Sequence, residues 1–304
     1  MSRADQDSAS GGWGRPRLLA TLAAGVGAAV LFVAGLALAL YYVLRTAEAT
    51  STPPSAAWSA GPKPVASGSG PAYRDRVAAA PMLKVAPDDA RRGVPAAVTG
   101  PVIDVPAATD VGPARVPTGF PRTPQGAVGQ LAAIETTVLQ GMSIPQANQV
   151  YEQWALPGGA GVADWALTKN VQNFLASAGQ GQSKDLTVAV TATPAAGQVK
   201  GTDGASWVLA CVLLDVRATI TVQARIGYGY CERMQWHATS TGTGGDGGRW
   251  MIAPGAPAAA APCTWPGTDI AFKAGWRTWV FNDLASSDEA GAASTPTSTP
   301  TSRE

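Results

Sequence analysis

Residues 206–237 read SWVLACVLLDVRATITVQARIGYGYCERMQWH, and their period decides the fold. The even positions Val208, Ala210, Val212, Leu214, Val216, Ala218, Ile220 and Val222 are all apolar, while the odd positions include Asp215, Arg217, Thr219 and Thr221. Period two with a polar companion set is the mark of a β-strand with one core face. From 225 to 237 the even face carries Ile226, Tyr228, Tyr230, Met234 and Trp236. A hairpin turning at Thr221 opposes residues whose numbers sum to 442. Val216 then faces Ile226, Leu214 faces Tyr228, Val212 faces Tyr230, and Cys211 falls opposite Cys231. Directly opposed β-carbons lie ~4.5–5.5 Å apart, so Cys211 and Cys231 form a candidate disulfide. The alternative is free thiols, and Cys263 has no partner in either case. The same register sets Arg217 against Arg225, which is unfavourable unless Asp215 sits diagonally between them.

Upstream of this hairpin the period is helical. Thr123 followed by Pro124 is a cap with proline at the first helical position, and Ala127, Leu131, Ile134 and Val138 share one face. Ser143 with Gln146 makes a capping box around Pro145. Ile144, Ala147, Val150, Tyr151 and Trp154 form the next stripe, which Pro157-Gly158-Gly159 breaks. A third helix is expected from Ala163 to Ala178, with Leu167, Val171, Phe174 and Leu175 inward. Leu186, Val188 and Val190 then alternate as a strand, and Trp250, Met251 and Ile252 mark a shorter one. The fold class is therefore α+β, with helices packed on a curved antiparallel sheet in a domain spanning 118–284.

Residues 18–44, LLATLAAGVGAAVLFVAGLALALYYVL, carry no charge. As a helix rising ~1.5 Å per residue this run covers roughly 40 Å, more than the ~30 Å hydrocarbon core. It predicts one transmembrane helix after a cytoplasmic stub, 1–17. A cleaved signal peptide, whose apolar region is usually only ~7–15 residues, fits less well. Arg3, Arg15 and Arg17 precede the run, against Arg45 and the more distant Lys63 beyond it. The N-terminus is thus expected in the cytoplasm and the C-terminal domain outside the cell membrane. Residues 45–117, rich in Pro, Gly and Ala, read as a disordered linker, and 285–304 as a disordered Ser/Thr/Pro tail.

Charge and composition narrow the function. The net charge is +1 and only 14% of residues are charged, with no basic block, so direct nucleic-acid binding is not expected. His237 is the single histidine and no CxxC pair occurs, which leaves no zinc site of the usual kind. No GxSxG, GxxxxGK[ST] or HExxH string is present. GTGGDGG at 242–248 reads as a hairpin loop rather than a phosphate cradle. Glu232, on the apolar face with Tyr228 and Tyr230, could line a pocket and serve as a general base, with Asp164 and His237 as further candidates. Ion pairing of Glu232 with Arg233 or another edge arginine, and core packing of the tyrosines with their hydroxyls bonded at the rim, is the plainer reading. Neither a catalytic residue nor a cofactor is expected. Trp265, Trp276 and Trp279 are candidates for a partner surface.

Three helices followed by a curved antiparallel sheet resemble the cone-shaped nuclear-transport-factor-2-like fold. With the membrane helix and spacer, the plan looks like that of the inner-membrane scaffold subunits of type IV secretion and Gram-positive conjugation systems. TPQGAVGQLAAIE, CERMQW, RWMIAPG and WPGTDIAFKAGWRTW are similar to stretches of membrane proteins in actinobacterial mobile-element clusters. The resemblance covers roughly 118–280 and implies a non-catalytic assembly subunit, with other envelope-complex proteins as partners or a homo-oligomer. Actinobacterial Mce-associated membrane proteins share the plan, which implies the alternative of a lipid- or small-ligand-binding module.

Overall fold

A computed structural model describes residues 68–220, 222–238 and 247–282. The apolar run 18–44, the tail 285–304 and residues 242–246 of the glycine-rich stretch lie outside the described residues. Among the described residues no helix is long and apolar enough to cross a membrane.

The hairpin is built from β5 (Trp207–Thr219) and β6 (Gln223–Ala238). Its antiparallel register pairs Trp207 with Gln235 and Thr219 with Gln223, so every partner sum is 442. Cys211 opposes Cys231, and the two sulfurs are bonded. Asp215 bridges the facing arginines, with contacts of 2.6 Å to Arg225 and 3.2 Å to Arg217. Cys263 is free, its Sγ against the backbone of Gly229.

Around this pair grows a six-stranded sheet in the order β1-β8-β4-β5-β6-β7. Its other members are β1 (Val102–Pro106), β4 (Ala189–Asp203), β7 (Gly248–Ile252) and β8 (Arg277–Asn282). β1 runs parallel to β8, so the sheet is mixed rather than antiparallel throughout. Irregularities at Pro194/Ala196 and Val199/Gly201 bend β4. β4 is far longer than the expected strand, and Leu186 lies before it, fully exposed. Two short strands, β2 (Asp110–Val111) and β3 (Pro117–Thr118), form a separate ribbon.

One face of the sheet carries α2 (Pro124–Gly141), α3 (Ile144–Trp154) and α4 (Ala166–Ser177). Thr123 and Ser143 cap the first two by accepting from the Gly126 and Gln146 amides. Val208, Ala210, Val212 and Leu214 meet Leu131, Ile134, Val150 and Trp154 in this layer.

The opposite face is also covered, which revises the expected boundaries. Trp207, Leu209, Cys211 and Leu213 are buried on the odd face of β5. Trp207 and Leu209 pack with Tyr73, Val77 and Ala78 of α1 (Pro71–Ala79), and Cys211 and Leu213 with Met82, Ala274 and Trp276. Ordered structure thus begins inside the stretch expected to be linker, 45–117. Its later part supplies α1, β1 and the small ribbon, because the second face of the sheet needs an apolar cover. Trp276 is wholly buried beside α5 (Asp269–Lys273), with its indole N–H donating to the Pro262 carbonyl, so it belongs to the core and not to a partner surface.

The segment after β7 crosses this face at backbone contact. A β-carbon on Gly227 would lie 1.9 Å from the Thr264 carbonyl oxygen, and one on Gly229 would lie 2.6 Å from that of Pro262. Backbone cannot yield as a flexible side chain can. Gly227→Ala is therefore expected to cost about 1–3 kcal/mol, seen as a lower urea midpoint at unchanged m-value. Removing the cross-strand bond by Cys231→Ser should lower stability by about 2–4 kcal/mol in the same measurement, and reductant should bring the wild type toward the variant.

Candidate functional site

The even face of β6 delivers Tyr228, Tyr230 and Glu232 into the helical layer, but they do not act as one group. Glu232 is only 8% exposed. Its Oε2 accepts from the Tyr230 hydroxyl at 2.5 Å and from the Trp165 indole N–H at 3.2 Å, while Oε1 accepts from the Arg233 amide at 3.1 Å. Burial pushes the Glu232 carboxyl up, and these donors partly offset it. The Arg233 side chain points to the other face, where it meets Asp75 of α1 at 2.8 Å and the Ala256 carbonyl. The expected Glu232–Arg233 ion pair is absent because adjacent strand residues face opposite sides. Tyr228 is held by Asn170 of α4, whose side-chain amide donates to the phenol oxygen at 2.6 Å.

Tyr230 and Glu232 line a cavity of about 90 Å³ together with Tyr151, Trp165, Asp164 and the backbone of Gly159 and Ala160. Tyr228 is not part of its wall. Tyr151 comes from α3 and Trp165 from the start of α4, with ring centroids 5.0 Å apart. The Tyr151 hydroxyl donates to the Ala160 carbonyl at 2.7 Å, which ties the 157–165 loop to α3. Asp164 lies at the wall but pairs with Lys169 at 2.9 Å, and His237 is exposed at the end of β6.

Glu135 of α2 is a second buried carboxyl that the sequence reading did not select. It is wholly buried, and neither of its oxygens has a hydrogen-bond partner. Burial, then repulsion from Glu232, hold its carboxyl well above the usual range. The signal was available: Glu135 follows Leu131 by four residues and precedes Val138 by three, so it shares their inward stripe. Burial also raises the Tyr228 and Tyr230 phenols, the latter with help from the Glu232 charge.

The remaining tryptophan candidates are partly buried. Trp265 lies under the Arg225 guanidinium at 4.3 Å. Trp279 stands beside Phe281 at the end of β8, with centroids 5.9 Å apart. Trp279 and Phe281, with Phe120, Pro194, Ala132 and Ala133, line an apolar groove of about 220 Å³. It forms because β8 pairs with β4 only through Arg277 and Thr278, then diverges from it. Among the described residues no cluster of three or more His, Cys, Asp or Glu could hold a metal ion. The chain matches no protein-family model, no curated protein and no solved structure.

The unpartnered Glu135 makes a signed prediction. A carboxyl raised in the folded state binds its proton more tightly there than in the unfolded chain. Its stabilising contribution is complete below the unfolded value of about 4.3 and is lost as pH rises through the raised folded value. Glu135→Gln should therefore match the wild type near pH 4 and become the more stable protein above it. The gap should widen by up to about 1.4 kcal/mol per pH unit across that window, read from urea melts at several pH values.

Proposed function

We propose that this chain is a non-catalytic assembly subunit of a cell-envelope complex, held outside the membrane by the 18–44 run and serving a conjugative DNA-transfer machine of the type IV secretion kind. The observation that carries this reading is the open end of β8. Val280 and Phe281 are 40% and 58% exposed on a strand that has left β4, beside an apolar groove with aromatic walls. β1 pairs this strand end on one side, while among the described residues its β4-facing side has no strand partner beyond Thr278, and an apolar strand with one open side is a site for pairing with another chain. The engagement of the interior polar groups agrees with a structural role. Glu232 is engaged by Tyr230 and Trp165, Tyr228 is held by Asn170, and the cavity at Glu232, about 90 Å³, is well below the ~300–1,000 Å³ of drug-sized ligand sites. The α+β domain with its curved sheet suits the cone-like plan of such subunits.

A photo-crosslinking residue at position 281 of the full-length chain, expressed in its own host, should form adducts with envelope proteins or a second copy. Phe281→Asp should abolish the adducts formed by crosslinkers placed at Ala132 or Ala133 of the same groove and reduce plasmid transfer to the level of a deletion strain, while the circular dichroism of the purified chain stays unchanged. Wild-type transfer by Phe281→Asp, or an unaltered transfer frequency in the deletion strain, would remove the basis for the conjugative reading.

A further inference from the structure

The cavity at Glu232 combines features that the assembly reading does not require. Its walls bring three aromatic side chains, Tyr151, Trp165 and Tyr230, around one buried carboxyl group. The 157–165 loop and Ala253, Gly255, Pro257 and Ala258, which follow β7, complete its wall. A carboxylate in a largely apolar wall is costly unless positive charge compensates it. Arg233, the nearest guanidinium in sequence, is committed to Asp75 on the other face of the sheet, and Lys169 is committed to Asp164. Aromatic rings attract cations through their negative faces, and the effect grows when the cation is desolvated.

We propose that this cavity is a binding site for a methylated ammonium group, with Tyr151, Trp165 and Tyr230 as its aromatic wall and Glu232 as its counter-charge. The space, about 90 Å³, limits the ligand to one compact group. The choice of methylated over primary ammonium follows from hydrogen bonding. A primary ammonium brings three N–H donors that must each find an acceptor. The Glu232 oxygens already accept from Tyr230, Trp165 and the Arg233 amide, and the Ala160 carbonyl accepts from Tyr151. A quaternary head has no N–H to satisfy and needs only charge and apolar contact. The site is independent of the β8 groove, so either proposal can fail without the other.

Binding requires Glu232 to be ionised. Tyr230 and Tyr228 face it from its own strand, Tyr151 from α3, Trp165 from the start of α4 and Glu135 from α2, and the Arg233 amide donates to it. Asp164 stands at the same cavity wall with its partner Lys169, and the Arg233 guanidinium is turned away to Asp75. Cation binding should therefore strengthen as pH rises through the raised range of the Glu232 carboxyl, with release of a proton.

Isothermal titration of the purified full-length chain with choline, tetramethylammonium, n-propylammonium and the neutral choline isostere 3,3-dimethylbutan-1-ol tests the site. Choline and tetramethylammonium should bind roughly tenfold or more tightly than the neutral isostere, with n-propylammonium (a stand-in for a lysine tip) weaker than both. Glu232→Gln should lose about that same factor for choline and remove the pH dependence. Trp165→Phe, which removes the indole N–H but keeps an aromatic ring, should weaken choline less than Glu232→Gln does. Should Glu232→Gln fail to fold, the wild-type comparison of choline with its neutral isostere still decides. Equal affinity for those two, tighter binding of n-propylammonium than of tetramethylammonium, unchanged binding by a folded Glu232→Gln, or no binding of choline overturns the proposal.

Discussion

Burial of β5 on both of its faces is the constraint on which the rest of the structure depends. From Trp207 to Leu214 consecutive side chains are buried, so alternation sends four to each side of the sheet. A strand of this kind needs an apolar layer above and below. The three helices α2–α4 supply one layer, and their amphipathic stripes announce it. The other layer is assembled from pieces: α1, Met82, the segment after β7 and α5 with Trp276. Covering this second face recruits residues from both ends of the domain, and it brings β1 in parallel beside β8 at the sheet's edge.

That constraint also explains what was legible in the sequence. The hairpin could be read to the residue because two long strands share one period and a single turn, which leaves one register that opposes apolar to apolar and cysteine to cysteine. The caps at Thr123 and Ser143 were readable because the signal is local. The role of 71–106 was not, because its pattern is short and diluted by proline and glycine. α1 places only Tyr73, Val77 and Ala78 in the interior, and β1 only Ile103 and Val105. Elements with so few anchors draw their stability from tertiary contact, which a local pattern does not display. The odd positions of 207–213 held the missing clue, since Trp207, Leu209, Cys211 and Leu213 are too apolar for a solvent-facing side.

The same limit applies to the site. Glu232 with Tyr230 was visible on one strand face, whereas Tyr151 and Trp165 reach the cavity from α3 and the start of α4. Tyr151 could be assigned to an inward stripe, but no strand or helix period says which inward residue meets which. Trp276 shows the reverse error. An isolated tryptophan near the end of a chain carries no local sign of being core or surface, and the backbone of Pro262 decides it by accepting the indole N–H.

Register links the hairpin to the chemistry of the interior. In a strand of period two, a one-residue slip of β6 would exchange its faces, sending Glu232 to the α1 side and the Arg233 guanidinium into the helical layer. Cys231, bonded to Cys211 of β5, stands immediately before Glu232, on the face of Arg233. Their covalent bond removes the slipped register from the available alternatives. Two further contacts act in the same direction from opposite sides of the sheet. Arg233 is tied to Asp75 on one face, and Glu232 is tied to Trp165 on the other. A strand clamped in this way can hold an acidic group inside an aromatic wall even though burial alone disfavours its charge, because the alternative arrangement would break a disulfide and leave Arg233 buried without its carboxylate partner.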